Sequence, residues 1–283
     1  MRSELEFEYH LQLFRIFQTA TVSFLPTAGL VRLSFKKGGG NKIEVETLNK
    51  WKGKNHTRFP ARDLLIGGVD EAGRGSLVGP LIVVGISVRF SQLDELSKIG
   101  IKDSKLLTPL SRRRMLSSMM DYVESLCICK LSPTDVDFGV LFSSLNVLEA
   151  QAMAVIIEDI VPHIAYIDSC DVNPERYGER VAGFLSTNRP KKIISSHHAE
   201  ATSLAVAAAS ILAKVTRDYE ITRIREQYGE IGSGYPSDRK TVEFIKNWIV
   251  EKKFLPPFVR KSWKPMKALL NREQCITLDQ FVL

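Results

Sequence analysis

The sequence predicts an α/β fold in which a mixed five-stranded sheet is flanked by helices, with a helical C-terminal part. Five short apolar, β-branched runs lie between residues 64 and 197, and helical patterns separate the later ones. Consecutive strands joined by short turns pair antiparallel, whereas strands that alternate with helices pair in parallel through crossovers. The sheet should therefore contain both kinds of pairing.

The first three runs are LLIGGVD, LIVVGISVRF and SLCICKL, and we expect them to form adjacent antiparallel strands. A helix is predicted between the second and third runs. Thr108 suits its N-cap, and Pro109 suits the first helical position.

The other two strands are HIAYIDS and KKIISSH, and the helices SLNVLEAQAMAVIIEDI and NPERYGERVAGFLST precede them in alternation. Residues 201–228 predict one long helix, whose alanines and serines allow it to lie close to a sheet. A last helix is predicted in SDRKTVEFIKNWIVEKK, with Ser237 as its N-cap.

We expect four parts: an N-terminal extension (1–63), a catalytic core (64–228), a helical C-terminal part (229–270) and a tail (271–283). In the extension, TVSFLPTAGLVRLSF and NKIEVETLNKW are candidate strands of a small β appendage. The alternatives are a poorly ordered segment and a segment outside the working protein because translation starts later.

The composition is that of a soluble globular protein, with 44% hydrophobic and 25% charged residues. No signal peptide or membrane-spanning run is apparent, which predicts a cytoplasmic protein, and we expect a monomer. The net charge of +7 favours a polyanionic partner. The four cysteines lack the paired spacing of a zinc site and are expected to be reduced thiols.

Four acids occupy positions where packing alone would favour other residues. Asp70 and Glu71 end the first predicted strand, and Asp168 ends HIAYIDS. Asp218 continues an apolar stripe on the long helix, formed by Leu204, Ala208, Ile211 and Val215. A carboxylate on a buried face is costly unless it is paired or binds a metal.

Oxygen ligands without histidine or cysteine suit Mg²⁺ or Mn²⁺ rather than Zn²⁺. Two such ions, about 3.5–4 Å apart, can activate a water and stabilise the leaving oxygen in phosphodiester hydrolysis. Each acid taken alone could instead be a turn former or a solvated charge.

The sequence resembles the ribonuclease HII family, most closely its archaeal and eukaryotic branch, over about residues 65–265. Six motifs carry the resemblance in the family's order: GVDEAGRGSLVGP, DSKLL, YIDS, AASILAKVTRDY, GSGYPSD and FVRKSW. The resemblance implies an RNase H-like fold and a metal-dependent endonuclease. Its substrates would be RNA in RNA/DNA hybrids and ribonucleotides embedded in duplex DNA, cut on their 5′ side to leave 3′-hydroxyl and 5′-phosphate ends.

The resemblance also implies roles for individual residues. Two divalent ions would bind Asp70, Glu71, Asp168 and Asp218, with Asp70 bridging both. Substrate contacts would come from Gly73, Arg74, Gly75, Lys105 and Tyr235.

Simple chemistry supports these substrate roles. The glycine turn lets backbone approach a 2′-OH, Arg74 and Lys105 could hold phosphates, and Tyr235 could stack on a sugar. The plainer alternatives are a tight turn, solvated cations and an aromatic cap over a loop.

Two regions depart from family patterns. Relatives commonly carry His-Lys-Ala-Asp where this chain has HHAEA, so that His198 and Glu200 replace a lysine and an aspartate. The tail CITLDQFVL resembles a sliding-clamp-binding motif through Leu278 and Phe281, although Cys275 replaces its usual glutamine. The tail could equally dock on its own domain.

Two other functions fit parts of the sequence. One is a non-catalytic nucleic-acid-binding module on the same fold, which the four acids argue against. The other is a dinucleotide-binding fold, but Gly73, Gly75 and Gly79 lack the G-x-G-x-x-G spacing, and the acids would repel a pyrophosphate.

Overall fold

The computed structural model describes residues 21–25, 30–36, 64–101, 108–186 and 188–272. Within these residues one sheet has seven strands in the order β1-β2-β5-β4-β3-β6-β7. The strands are β1 (Thr21–Leu25), β2 (Leu30–Lys36), β3 (Leu65–Ala72), β4 (Leu81–Arg89), β5 (Val123–Leu131), β6 (Ile164–Asp168) and β7 (Lys192–Ser196).

The predicted five-stranded mixed sheet is confirmed as β3 to β7. Strands β3, β4 and β5 pair antiparallel, while β6 pairs in parallel with both β3 and β7. The hairpin β1–β2 extends the sheet, because β2 pairs antiparallel with β5. The second candidate strand of the extension, NKIEVETLNKW, lies outside the described residues.

Nine α-helices connect and flank the strands in the described part of the chain. They are α1 (Leu93–Lys98), α2 (Pro109–Met120), α3 (Pro133–Phe142), α4 (Leu145–Ile160), α5 (Pro174–Phe184), α6 (Ala199–Thr202), α7 (Leu204–Tyr228), α8 (Arg239–Lys252) and α9 (Lys264–Arg272). The predicted start of α2 is confirmed, since the Thr108 side chain accepts a hydrogen bond from the Ser111 N–H.

Two helix boundaries differ from the predictions. The long helix is interrupted at Ser203, whose backbone is extended and whose hydroxyl accepts a hydrogen bond from Val206 N–H, so that α7 starts there. Helix α8 is capped by Asp238 and not by Ser237. The Asp238 carboxylate accepts from Lys240 N–H and from Ser233 N–H, so it joins the helix to the preceding loop.

Helix α7 lies directly against β3 and β4 on one face of the sheet, and α4 and α5 cover the other face. Gly68 makes the close approach possible, because a Cβ there would lie 2.1 Å from the backbone carbon of Ala205. A third apolar cluster joins the C-terminal helices to residues 77 and 78, which follow β3. Cys127 and Cys129 are buried thiols on β5 and form no disulfide with another described residue. No helix among the described residues has the length and apolar character needed to cross a membrane.

Candidate metal centre and nucleic-acid interface

Three carboxylates meet where β3 and β6 end side by side. Val69 pairs with Ile167 across these parallel strands, so the next residues, Asp70 and Asp168, are neighbours. One carboxylate oxygen from each of Asp70, Glu71 and Asp168 lies within 4.8 Å of the others. The sheet register itself therefore brings together acids separated by almost a hundred residues in sequence.

Each carboxylate of this cluster is held differently. Asp70 Oδ1 accepts a hydrogen bond of 2.7 Å from Glu71 N–H, and Ser210 on α7 bonds its side chain. Asp168 Oδ1 accepts one of 2.7 Å from Ala199 N–H, at the start of α6. Glu71 Oε2 is buried and accepts no hydrogen bond from the described residues. An acceptor buried without a donor is costly, and a cation would satisfy it.

The electrostatics of the cluster also favour a cation. Burial raises the pKa of both Asp70 and Glu71, and the negative charge of Asp168 adds to both shifts. Three ionised carboxylates this close repel one another unless positive charge is added. The donor set consists only of hard oxygen atoms, which fits Mg²⁺ or Mn²⁺.

Asp218, the fourth predicted ligand, lies apart from this cluster. It is two turns beyond Ser210 on α7, which is about 12 Å along the helix axis. Its Oδ2 instead accepts a 3.3 Å hydrogen bond from Arg112 on α2. Burial raises the pKa of Asp218, and the charges of Arg112 and Arg217 oppose that shift. The structure therefore brings together three of the four predicted acids.

Another acid, Glu200, is adjacent in the chain to a residue that contacts the cluster. It is the second residue of α6, directly after the Ala199 that donates to Asp168. It is buried, with its Oε1 4.0 Å from Nδ1 of the exposed His198. From the sequence alone, Glu200 was only a departure from the family pattern. Its carboxylate could have identified Glu200 as a candidate ligand, because glutamate keeps the carboxylate of the aspartate that it replaces.

The glycine-rich turn follows β3 directly. Gly73 has φ +89°, and a Cβ there would lie 2.7 Å from Cδ and Nε of Arg217. Its carbonyl accepts hydrogen bonds from the N–H and hydroxyl of Ser76, which close the turn. Gly75 is exposed, and the position its Cβ would take is open. Backbone at Gly75 is therefore accessible to a ligand.

Arg74 points toward α4. Its guanidinium forms an ion pair with the fully buried Glu149 and donates a 2.6 Å hydrogen bond to Asn146 Oδ1. Asn146 in turn donates to Asp171, whose pKa is held low chiefly by its hydrogen bond from Arg176. These contacts connect the turn to helix α4 and occupy the Arg74 guanidinium. The phosphate contact expected of Arg74 stays a prediction.

Tyr235 lies in the loop before α8, half-buried, with the guanidinium carbon of Arg217 4.3 Å from its ring centre. This geometry is that of a cation–π contact. Lys105, Leu278 and Phe281 lie outside the described residues. The arrangement as a whole is a carboxylate cluster beside an exposed glycine turn and a tyrosine.

Comparisons with known proteins agree with this arrangement. A family model described as Ribonuclease HII matches residues 67–266. A curated ribonuclease HII from Methanoregula boonei is 42% identical over 217 residues, covering 77% of this chain and 100% of the relative.

Two solved structures are similar as well. The ribonuclease H2 of Pyrococcus horikoshii has a TM-score of 0.70 at 36% identity, covering 75% of this chain and all of that one. A complex of PCNA and RNase HII from Archaeoglobus fulgidus has a TM-score of 0.65 at 36% identity, covering 77% of this chain and all of the matched chain. These relatives correspond to the part of the chain that holds the carboxylates and the glycine turn.

Proposed function

The chain belongs to the ribonuclease HII family of metal-dependent endoribonucleases, and from this premise we propose that it cleaves RNA in RNA/DNA hybrids and cuts 5′ to ribonucleotides embedded in duplex DNA. The products would carry 3′-hydroxyl and 5′-phosphate ends. The observation that carries the proposal is the three-carboxylate cluster immediately before the accessible backbone of Gly75. Metal ligands and a ribose-reading surface are thereby within a few residues of each other.

Asp70, Glu71 and Asp168 would hold the metal ions. When bound at such a site, a pair of divalent cations supplies an activated water and stabilises the leaving oxygen. The buried, unpaired Glu71 Oε2 is a ready ligand atom. The hydrogen bonds to Asp70 and Asp168 fix their carboxylates, so little reorganisation is needed when the ions bind.

For the fourth ligand we favour Glu200 over Asp218. Glu200 follows the residue that caps Asp168, whereas Asp218 is about two helical turns away from Ser210 and pairs with Arg112. Titrating Mn²⁺ into Glu200→Gln and Asp218→Asn variants by calorimetry distinguishes the two. We expect weaker Mn²⁺ binding for Glu200→Gln and near-unchanged binding for Asp218→Asn. The reverse pattern would restore the assignment that the family resemblance predicted.

The ribose would be recognised by the turn at residues 73–75 and by Tyr235. A 2′-OH can both donate and accept a hydrogen bond, so it can pair with exposed backbone N–H and C=O groups. Gly75 presents such backbone without an obstructing side chain. Tyr235, supported by Arg217, could stack on the neighbouring sugar at a ribonucleotide-to-deoxyribonucleotide junction.

One cleavage assay tests the function. The chain and its Asp70→Asn variant are incubated with Mg²⁺ or Mn²⁺ and duplex DNA containing one ribonucleotide, beside a continuous RNA/DNA hybrid. We expect the unmodified chain to cut both substrates and the variant to cut neither. If the unmodified chain cuts neither, the proposed function is wrong. If it cuts only the hybrid, the junction role of Tyr235 is wrong.

We also propose that residues 271–283 bind a sliding clamp through Leu278 and Phe281. The support is the motif-like spacing of these side chains and the relative solved with PCNA. The test is binding of a clamp from the same source to the full chain and to a Leu278→Ala/Phe281→Ala variant. Equal binding by both, or none by the full chain, would contradict the proposal.

A further inference from the structure

Two arginines are buried beneath the glycine turn. Arg260 is completely buried, and Arg217 is 5% exposed. Neither forms an ion pair with a carboxylate in the described part of the chain. Arg217 Nε and Arg260 Nη2 are also buried and have no hydrogen-bond partner among the described residues. Burying a cation without an ion-pair partner is costly, and the nearby charges of Asp218 and Asp137 offset only part of that cost.

The contacts of Arg260 are with the backbone of the turn. Its Nη1 donates a 2.8 Å hydrogen bond to the Arg74 carbonyl, and its Nε donates one of 3.2 Å to the Gly79 carbonyl. The planar guanidinium therefore joins the two ends of the segment 74–79. A backbone hydrogen bond from Arg260 N–H to Leu77 adds a third connection.

Arg217 makes corresponding contacts with the loop that carries Tyr235. Its Nη2 donates a 3.0 Å hydrogen bond to Ser233, and its guanidinium lies over the Tyr235 ring. The same side chain fills the space beside Gly73. Arg217 thus fixes the distance between the turn and the tyrosine.

We propose that Arg217 and Arg260 are positioning residues that hold the turn at 73–75 and Tyr235 in the arrangement that distinguishes ribose from deoxyribose. The inference rests on the proposed function, because it assigns a role within the same ribose-reading surface. Arg260 comes from the segment before α9, so the C-terminal part helps to shape the turn that follows β3. The two buried guanidinium groups also add positive charge beneath a surface that must attract a polyanion.

Binding without cleavage gives a direct test. Dissociation constants are measured in EDTA for two duplex DNAs that differ only in one 2′-OH, and the deoxyribose-to-ribose ratio is compared between variants. For Arg260→Met we expect this ratio to fall about tenfold, because both charged hydrogen bonds to the turn are lost. Arg260→Lys keeps the charge but cannot bridge both carbonyls, so we expect an intermediate ratio.

Arg239→Gln is the matched control, since Arg239 is 90% exposed and its ion pair is with Glu243 on the same helix, α8. It should leave the ratio unchanged. If Arg260→Met does not fold, as judged by circular dichroism, the Arg260→Lys and Arg217→Lys ratios decide. An unchanged ratio in the folded variants, with only weaker overall binding or a lower Tm, would overturn the inference. Absence of any ribose preference in the unmodified chain would also overturn the inference, whereas the cleavage assay decides the proposed function separately.

Discussion

The glycine turn supplies the sharpest prediction, through the substitution Gly73→Ala. Gly73 has φ +89°, which costs an L-residue about 1–2 kcal/mol. The new Cβ would also lie 2.7 Å from Arg217 Cδ and Nε and 3.0 Å from the Pro80 carbonyl oxygen. Arg217 is buried and bonded, so it cannot move freely, and overpacking of this kind costs about 1–3 kcal/mol.

Together these terms predict a loss of about 2–5 kcal/mol in the free energy of unfolding, by addition of the two ranges. For a fold of this size, each kcal/mol lowers Tm by about 2–4 °C. If the turn shifts by as much as about 1 Å, kcat/KM should also fall by up to about 100-fold, because alignment at the reacting centre is lost.

The matched variant is Gly75→Ala, where the added Cβ meets nothing within 4 Å and φ is not positive. We expect an unchanged Tm but lower cleavage, since the methyl group obstructs the ribose. Gly183→Ala, on the exposed side of α5, should change neither activity nor ribose preference. Thermal unfolding and cleavage kinetics measure both effects. A Gly73→Ala variant with the Tm and kcat/KM of the unmodified chain would refute the reasoning.

Three further predictions concern the surroundings of the site. Glu149→Gln removes the buried carboxylate that pairs with Arg74. We expect the free energy of unfolding to fall by about 3 kcal/mol, the low end of the range for a broken buried pair, because Arg74 is 30% exposed. Tm and the cleavage rate should both fall, and an unchanged Tm would contradict this prediction. Because the pKa values of Asp70 and Glu71 are raised by folding, the metal-free chain should lose stability as pH rises from about 4 toward neutrality. Mg²⁺ should therefore raise Tm more at pH 8 than at pH 5. An equal rise in Tm at the two pH values would contradict the binding of Mg²⁺ by Asp70 and Glu71. Deleting residues 1–63 exposes the β5 edge, so light scattering should detect self-association that the full chain does not show.

Much of the fold was predictable because it depends on local patterns. The β-branched runs separated by a glycine turn define β3 and β4, and the alternation after β5 predicts parallel strands. The N-cap at Thr108 was also predictable, because capping depends on a few consecutive residues. The break at Ser203 was missed because one hydroxyl, bonded to Val206 N–H, redirects a chain of otherwise strong helix formers.

The candidate site was likewise predictable only in part from the sequence. Sequence alone determined that Asp70, Glu71 and Asp168 stand at strand ends, where apolar periodicity stops and carboxylates begin. Helical periodicity also placed Asp218 on a plausible stripe, but periodicity gives direction around a helix and not distance along it. Only the tertiary structure decided which acids meet, because strand register and the position of Ser210 against Asp70 set distances that no local pattern contains. The partnership of Arg260 with the turn, across 186 residues of sequence, depends on the same packing.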